Sequence, residues 1–499
     1  MTAKSRLATS FLVILLAALA AALPAYPQGQ HGAELSKVTR LNRAPVSNEI
    51  LQVHLPRPVV TKLPNGLTVL VIEQHKLPTA NFVLWIEGGD MSDPKDAPGL
   101  ASFTAGMLRE GTTHRTSAQL AADVDNIGAS LSTSSDFGST NSAVAASGLA
   151  PSAGQILELM SDVVLNATFP PDELEKYKQR QLSQLERERS EPSALAEEKF
   201  HQALYRDFPA AVTLPTPESI RATTPERLKE FHARYYVPGN AILGVVGDVK
   251  PDEILGLIRK SFGDWNGQPP PKPDWSHLPP AASTKIYLVD RSDSVQTNIV
   301  AGDYGARRAD PDYIALTVMN RVLGGGPQAR LFLNLREVHG YTYGAYSGVG
   351  DDKYREPWAA NTEVRNAVTD GSMEQLMLEF KRIRDEKVPE TELDEARHAI
   401  VSSFALSLEQ QQQLLYRWML IQTYGLPMDY WDRYPGEIAQ TGPDAVQAAA
   451  RKYVDLDHLQ IVCVGDAKQP GNDQKQPIRQ VLEKYGSVEV YDTNGKREE

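Results

Sequence analysis

The histidines, the lone cysteine and the glycine-rich stretches of this 499-residue chain are the residue types from which a reaction centre could be built. One helix-borne way to build a catalytic zinc site is two imidazoles one helical turn apart, a carboxylate ligand and a glutamate that takes a proton from bound water. His54, His75, His114, His201 and His232 are scattered and show no i, i+4 pairing. Cys463 is the only cysteine, so neither an internal disulfide nor a cysteine zinc site can form. It sits in the apolar run LQIVCVGD, where a thiol serves as core packing. Gly324 to Gly326, in LGGGPQARLF, lack the lysine of a phosphate loop and are expected to end a helix. The run EQQQQLL (409–415) is expected to lie within a helix and carries no evident chemistry.

The elements that would position a site can be read from periodicity. GLASFTAGMLREGT (99–112) carries Leu100, Phe103, Met107 and Leu108 on one face and stops at Gly111, the pattern of an amphipathic helix. Upstream, Leu67–Glu73 and Phe82–Ile86 are strand-like, with a tight turn at Asn65-Gly66 before the first. SAQLAADVDNIGA is expected as a helix and SLSTSSDF (130–137) as a polar, alternating strand. PDELEKYKQRQLSQLERERSE is expected as a long helix, and AILGVVGDV as a closing strand.

The same order is then written a second time. NFVLWIEGGDMSDP matches NIVAGDYGARRADP, GMLREG matches RVLGGG, PPDEL matches PETEL, and AILGVVGDV matches LQIVCVGDA, all in order and at a nearly constant offset. The chain therefore holds two copies of one domain, 47–268 and 283–492, because solenoid repeats have far shorter periods. The proline-rich stretch between them gives a semi-rigid linker at 269–282, and 493–499 forms a tail. The expected class is α+β: two tandem homologous domains, each a mostly antiparallel sheet with helices packed on one face.

A net charge of −12 argues against a broad nucleic-acid surface. Residues 1–25 combine Lys4, Arg6, an apolar run at 11–23 and then Pro24 and Ala25, the pattern of a signal peptide. That run is shorter than the ~20 residues of a membrane span, and no later stretch is apolar enough. The mature chain, after a polar lead-in at 26–46, is therefore expected to be periplasmic or secreted, with no membrane span.

GLASFTAGMLREGT, the duplication, YYVPGNAILGVVGDV and LGGGPQARLFLNLREVHGYTYGAYSG together resemble the pitrilysin–insulinase (inverzincin) metallopeptidase family, with its LuxS/metallopeptidase-like domains, over nearly the whole mature chain. In that family the first helix carries H-x-x-E-H. Here those positions hold Ser102, Ala105 and Gly106, and the family's third ligand falls at Ser183 or Gln184. Glu186 and Glu188 nearby are expected on a solvated helix face. The resemblance thus implies no metal and no cofactor in this chain.

The family's second domain supplies an arginine and a tyrosine that reach a zinc site. The matching frame here gives Arg336 and Tyr343, flanked by Tyr341 and Tyr346. A bland alternative pairs Arg336 with Glu337 and packs Tyr343 in its strand. The strand holding Ser132, Thr133 and Ser134 corresponds to the family's peptide-pairing edge and equally suits a solvent-facing edge. Some family members split into two subunits, one with zinc and one with the Arg/Tyr pair, and this chain resembles the second. The resemblance implies a non-zinc subunit of an exported heterodimeric peptidase, with a zinc-bearing homologous partner and a peptide or unfolded polypeptide as substrate. The alternative is an inactive pseudopeptidase serving as a peptide-binding or scaffold subunit of an envelope complex.

Overall fold

Each repeat folds into a six-stranded mixed sheet with helices packed on it, in a computed structural model that describes residues 53–498. The segment read as a signal peptide and the polar lead-in lie outside the described residues. The first sheet contains β1 (Val59–Lys62), β2 (Thr68–Glu73), β3 (Thr79–Glu87), β4 (Ser130–Ser135), β5 (Asn141–Leu149) and β6 (Ala241–Gly247), in the order β1-β2-β6-β3-β5-β4. Only β2 and β6 run parallel; every other pair is antiparallel.

The second sheet contains β7 (Lys285–Asp290), β8 (Gln296–Tyr304), β9 (Thr342–Val349), β10 (Pro357–Arg365), β11 (Gln460–Gly465) and β12 (Ser487–Tyr491), in the order β12-β7-β11-β8-β10-β9. Here β12–β7 and β7–β11 are parallel and the rest antiparallel. Five strands correspond one to one between the sheets. The outer strand differs in origin: β1 precedes its domain's core strands, whereas β12 comes after its own. The class is α+β, as the duplicated pattern implies.

The central strands are buried on both faces, as their unbroken apolar runs require. One face is covered by helices of the same repeat. The other is covered by a helix from the opposite repeat. Helix Pro192–Tyr205 of the first half lies on β11 and β8, where Leu195, Ala196 and Phe200 cluster with Tyr287, Val462 and Val464. Helix Gln411–Tyr424 of the second half lies on β6 and β2 of the first sheet. Gly244 makes that approach possible, because a Cβ there would sit 2.6 Å from Leu415 Cδ1 and 2.8 Å from Met419 Sδ. The expectation of helices on one face holds for each repeat taken alone, and the exchanged helix supplies the second layer.

No helix or strand lies between Phe262 and Lys285, the span that contains the proline-rich linker. Trp275 and Leu278 fasten its later part to the cluster beneath the exchanged Pro192–Tyr205 helix. Gly324 caps the helix Tyr313–Leu323, and Cys463 is buried in β11. The helix containing the glutamine run begins only at Gln411, so Glu409 and Gln410 precede it. Among the described residues no helix is long and apolar enough to cross a membrane.

Candidate functional site

Helix Leu100–Met107 is held at its start by Asp93, whose carboxylate oxygens accept from Gly99 N at 2.6 Å and Ala101 N at 2.8 Å. Gly99 supplies the left-handed turn, at φ +89°. Three residues earlier Asp90 is buried beside the same helix. Ser102 Oγ lies 2.9 Å from Asp90 Oδ1 and 2.7 Å from the Ser135 carbonyl, and Ser135 Oγ donates to Asp90 Oδ2 at 2.5 Å. One hydroxyl therefore ties the helix to the end of β4. Burial pushes both carboxyls up, Asp93 to about 9, and the charge of Asp90 adds to the rise at Asp93. The hydrogen-bonded pair keeps a proton at neutral pH.

These positions do not fit a zinc ion. The Ser102 hydroxyl is consumed by Asp90 and the Ser135 carbonyl, and Ala105 is fully buried. The space in front of Gly106 belongs to Tyr177, whose hydroxyl a Cβ on Gly106 would overlap. Among the described residues no group of three or more His, Cys, Asp or Glu side chains is placed to hold a metal ion.

What remains is a cavity of about 380 Å³ of mixed polar and apolar lining, walled in part by Ser102 and Gly106 of this helix, Thr133 and Ser134 of β4, and Tyr177, Gln181, Gln184 and Glu188 of the helix Pro171–Ser190, with Phe103, Phe137 and Leu185 among its apolar walls. Of the two third-ligand positions, Gln184 lines the cavity and Ser183 is exposed. Glu188 departs from the solvated face expected for it. It lies one turn beyond Gln184 on the cavity stripe and accepts from Gln184 Nε2 at 2.7 Å, whereas Glu186 is exposed. β4 is an edge strand, bonded only to β5. Thr133 and Ser134 border the cavity; Ser132 is exposed and does not line it.

Arg336 belongs to a π-helical turn, Leu333–Val338, that closes where Gly340 turns at φ +63° and Tyr341 N bonds to Leu335 O at 2.9 Å. The chain then enters β9, the edge strand of the second sheet, with Tyr343 as its second residue. Tyr343 is 91% exposed, so it is not packed in its strand. The Arg336 guanidinium lies 4.7 Å from the centroid of Phe332, which meets Tyr346 at 5.6 Å. The Arg336 contact with Glu337 is present but long, Nε to Oε1 at 3.6 Å, with both side chains about half exposed. Tyr341 instead stacks on His339 at 5.0 Å.

Tyr343 and Tyr346 also line a groove of about 660 Å³ against the exchanged Pro192–Tyr205 helix, which contributes Glu197 and His201. Neither residue stands out as a site residue in the sequence. Their i, i+4 spacing is the one local signal, and the groove itself exists only because the helix crosses to the other sheet.

Residues 68–218 match the model of the insulinase family (peptidase family M16), and residues 222–400 match that of the peptidase M16 inactive domain. An uncharacterized zinc protease of Mycobacterium leprae is 27% identical over 294 residues, 58% of this chain and 65% of that protein. A probable mitochondrial-processing peptidase subunit beta of Arabidopsis thaliana is 25% identical over 280 residues, 56% of this chain and 52% of that protein. The chain thus spans less than two thirds of the length of these curated relatives. The crystal structure of a peptidase M16 inactive domain from Pseudomonas fluorescens superposes with a TM-score of 0.76 at 26% identity, covering 82% of this chain and 98% of that one. A Helicobacter pylori protease shares the fold at the same TM-score with 17% identity, again over 82% of this chain and all of that one. With both halves matched by models of one family and the fold shared over four fifths of its length, the chain belongs to the insulinase (M16) peptidase family.

Proposed function

We propose that this protein is the non-zinc subunit of an exported, heterodimeric insulinase-type metallopeptidase, and that Arg336 and Tyr343 complete the active site of a zinc-bearing homologous partner. One observation carries the reading: the two donors stand on one edge of the second sheet, Tyr343 almost fully exposed and Arg336 held out on the Phe332 ring. Peptide hydrolysis places negative charge on the scissile carbonyl oxygen, and a guanidinium and a phenol can both donate to it. Those donors need not share a chain with the metal if an interface holds them in register. Export is proposed from the pattern of residues 1–25.

The test is a mixing experiment. The mature chain alone and a zinc-bearing homologue alone should leave an unstructured peptide intact, and the complex purified by gel filtration should cleave it. An assembled complex without activity would remove this reading.

A second reading, an inactive peptide-binding or scaffold subunit, draws support from the cavity beside β4. Its walls offer hydroxyls, amides and the carboxylates of Asp136 and Glu188, and among the described residues no metal ligand set, so it could hold a peptide without hydrolysing it. Binding of unstructured peptide that is lost when β4 is blocked, together with an inactive complex, would favour it.

A further inference from the structure

Two guanidiniums meet on the ring of Trp431, in the helix Tyr430–Gln440. Arg308, in the segment after β8, has its Cζ 5.3 Å from the ring centroid, and Arg417, on the exchanged Gln411–Tyr424 helix, has its Cζ at 4.6 Å. Arg308 is 8% exposed. Its Nη2 donates to Asp351 and reaches Tyr313 Oη at 3.3 Å, but its Nε is buried with no acceptor among the described residues. The Arg417 guanidinium packs on Phe404 as well as Trp431. It makes no hydrogen bond or ion pair among the described residues, and its Nε is likewise buried.

The charges are unbalanced too. A guanidinium keeps its proton in a protein, so each buried cation calls for an anion. The charge of Asp351 acts on both arginines, but its carboxylate is bonded to Arg308 and offsets one cation of the two. Burial and the charge of Arg308 together pull the Arg417 guanidinium below its ordinary pKa, as two cations held near one another require. Tyr430 adds a third donor. Its hydroxyl faces Arg308, which can only donate, so the phenolic proton is left with no acceptor among the described residues. Native proteins meet such buried donors with water or an ion. Water would satisfy the hydrogen bonds and leave the charge unmatched.

We propose that Arg308, Arg417 and Tyr430 form a binding site for a small tetrahedral oxyanion of the phosphate class. Its oxygens accept hydrogen bonds and carry the missing charge, and bonds to an ionised acceptor are the strong ones. The three donors come from three different elements. A tetrahedral group presents acceptors on every side, whereas a carboxylate offers them in one plane. The ion must be small, because Arg308 and Tyr430 are each 8% exposed and of the three only Arg417 is partly exposed. The site shares no residue with the Arg336–Tyr343 edge or the β4 cavity, so it does not rest on the function proposed above.

The experiment uses the mature full chain without any partner. Calorimetric titration compares inorganic phosphate with acetate and chloride at matched pH and ionic strength. Phosphate should bind saturably, one per chain, and acetate and chloride should not. Arg417→Met keeps an apolar stem on Phe404 and Trp431 and removes the charge. It should weaken phosphate binding roughly tenfold or more, the scale of a lost charge-assisted hydrogen bond. Without phosphate this variant should melt no lower than the parent, because it loses a buried cation that had no partner. Tyr430→Phe removes only the phenolic donor and should weaken binding severalfold, which tests the site even where Arg417→Met does not fold. Equal responses to phosphate and chloride, acetate binding as tightly as phosphate, or phosphate affinity unchanged in the variants would overturn the proposal. So would an Arg417→Met chain that melts lower than the parent in phosphate-free buffer. Phenyl phosphate binding as tightly as inorganic phosphate would overturn the size limit.

Discussion

Tyr177 occupies the space in which a side chain at position 106 would have to stand: a Cβ on Gly106 would overlap the tyrosine hydroxyl and lie 2.5 Å from its ring Cζ. The ring is in turn set by an edge contact with Phe103 at 5.1 Å and by the Arg180 guanidinium 5.2 Å from its centroid. The helix that bears the zinc motif elsewhere in the family is here packed shut from within.

Gly106→Ala should therefore destabilise the protein by about 1–3 kcal/mol, the usual range for overpacking a filled site. In a Tyr177→Ala background the same substitution should cost much less, and a double-mutant cycle by urea unfolding measures the difference. Writing the family's motif back as Ser102→His, Ala105→Glu and Gly106→His should not yield stoichiometric zinc by elemental analysis. The tyrosine and the missing third ligand both oppose it.

The Asp90–Asp93 pair makes stability depend on pH in a stated direction. Burial raises both carboxyls, so the native state keeps a proton that the unfolded chain releases above its ordinary carboxylate pKa of 3.8. The stabilisation is complete below that value and is lost as pH rises toward about 9, with a slope of up to about 1.4 kcal/mol per pH unit for one proton. Asp93→Asn should flatten the fall in urea midpoint between pH 5 and pH 8, whatever it costs in helix capping. Parallel pH profiles for the two proteins would count against a shared proton.

The exchanged helices should keep the two halves together after a cut in the linker. The exposed residues 266–269 and 271–274 offer the protease a site, but each half still covers the other's sheet, so the nicked halves should co-elute in native buffer. Leu415→Ala, at the face that meets Gly244, should cost about 2–5 kcal/mol and promote separation after cleavage. Halves that part at once on gel filtration would argue against the exchange as a main source of cohesion.

Arg336→Ala and Tyr343→Phe should barely change the melting of this chain, because both side chains face solvent. In an assembled complex with a zinc-bearing partner each should slow peptide cleavage by roughly 10²–10³, the cost of losing a pre-positioned oxyanion donor. Full activity in an assembled double variant would leave the pair without a catalytic role.

Much of this protein is set by residue types read in order. The duplication, the strand and helix periods, the glycine turns at Gly66 and Gly324 and the absence of imidazoles at 102 and 106 are local properties, and a local pattern is enough to specify them. The edge position of β4 accords with its polar alternation and with the family frame, whereas the edge position of β9 came only with the fold. Other features were decided only by tertiary packing. The apolar runs of β6 and β11 call for burial on both faces, but nothing local says that the second cover comes from the opposite repeat. Tyr177 filling the space at Gly106, Glu188 turning into the cavity and Glu197 with His201 lining a groove against β10 all join residues far apart in the chain. Such pairings depend on how two sheets and two exchanged helices close against one another, and a one-dimensional pattern does not encode that closure.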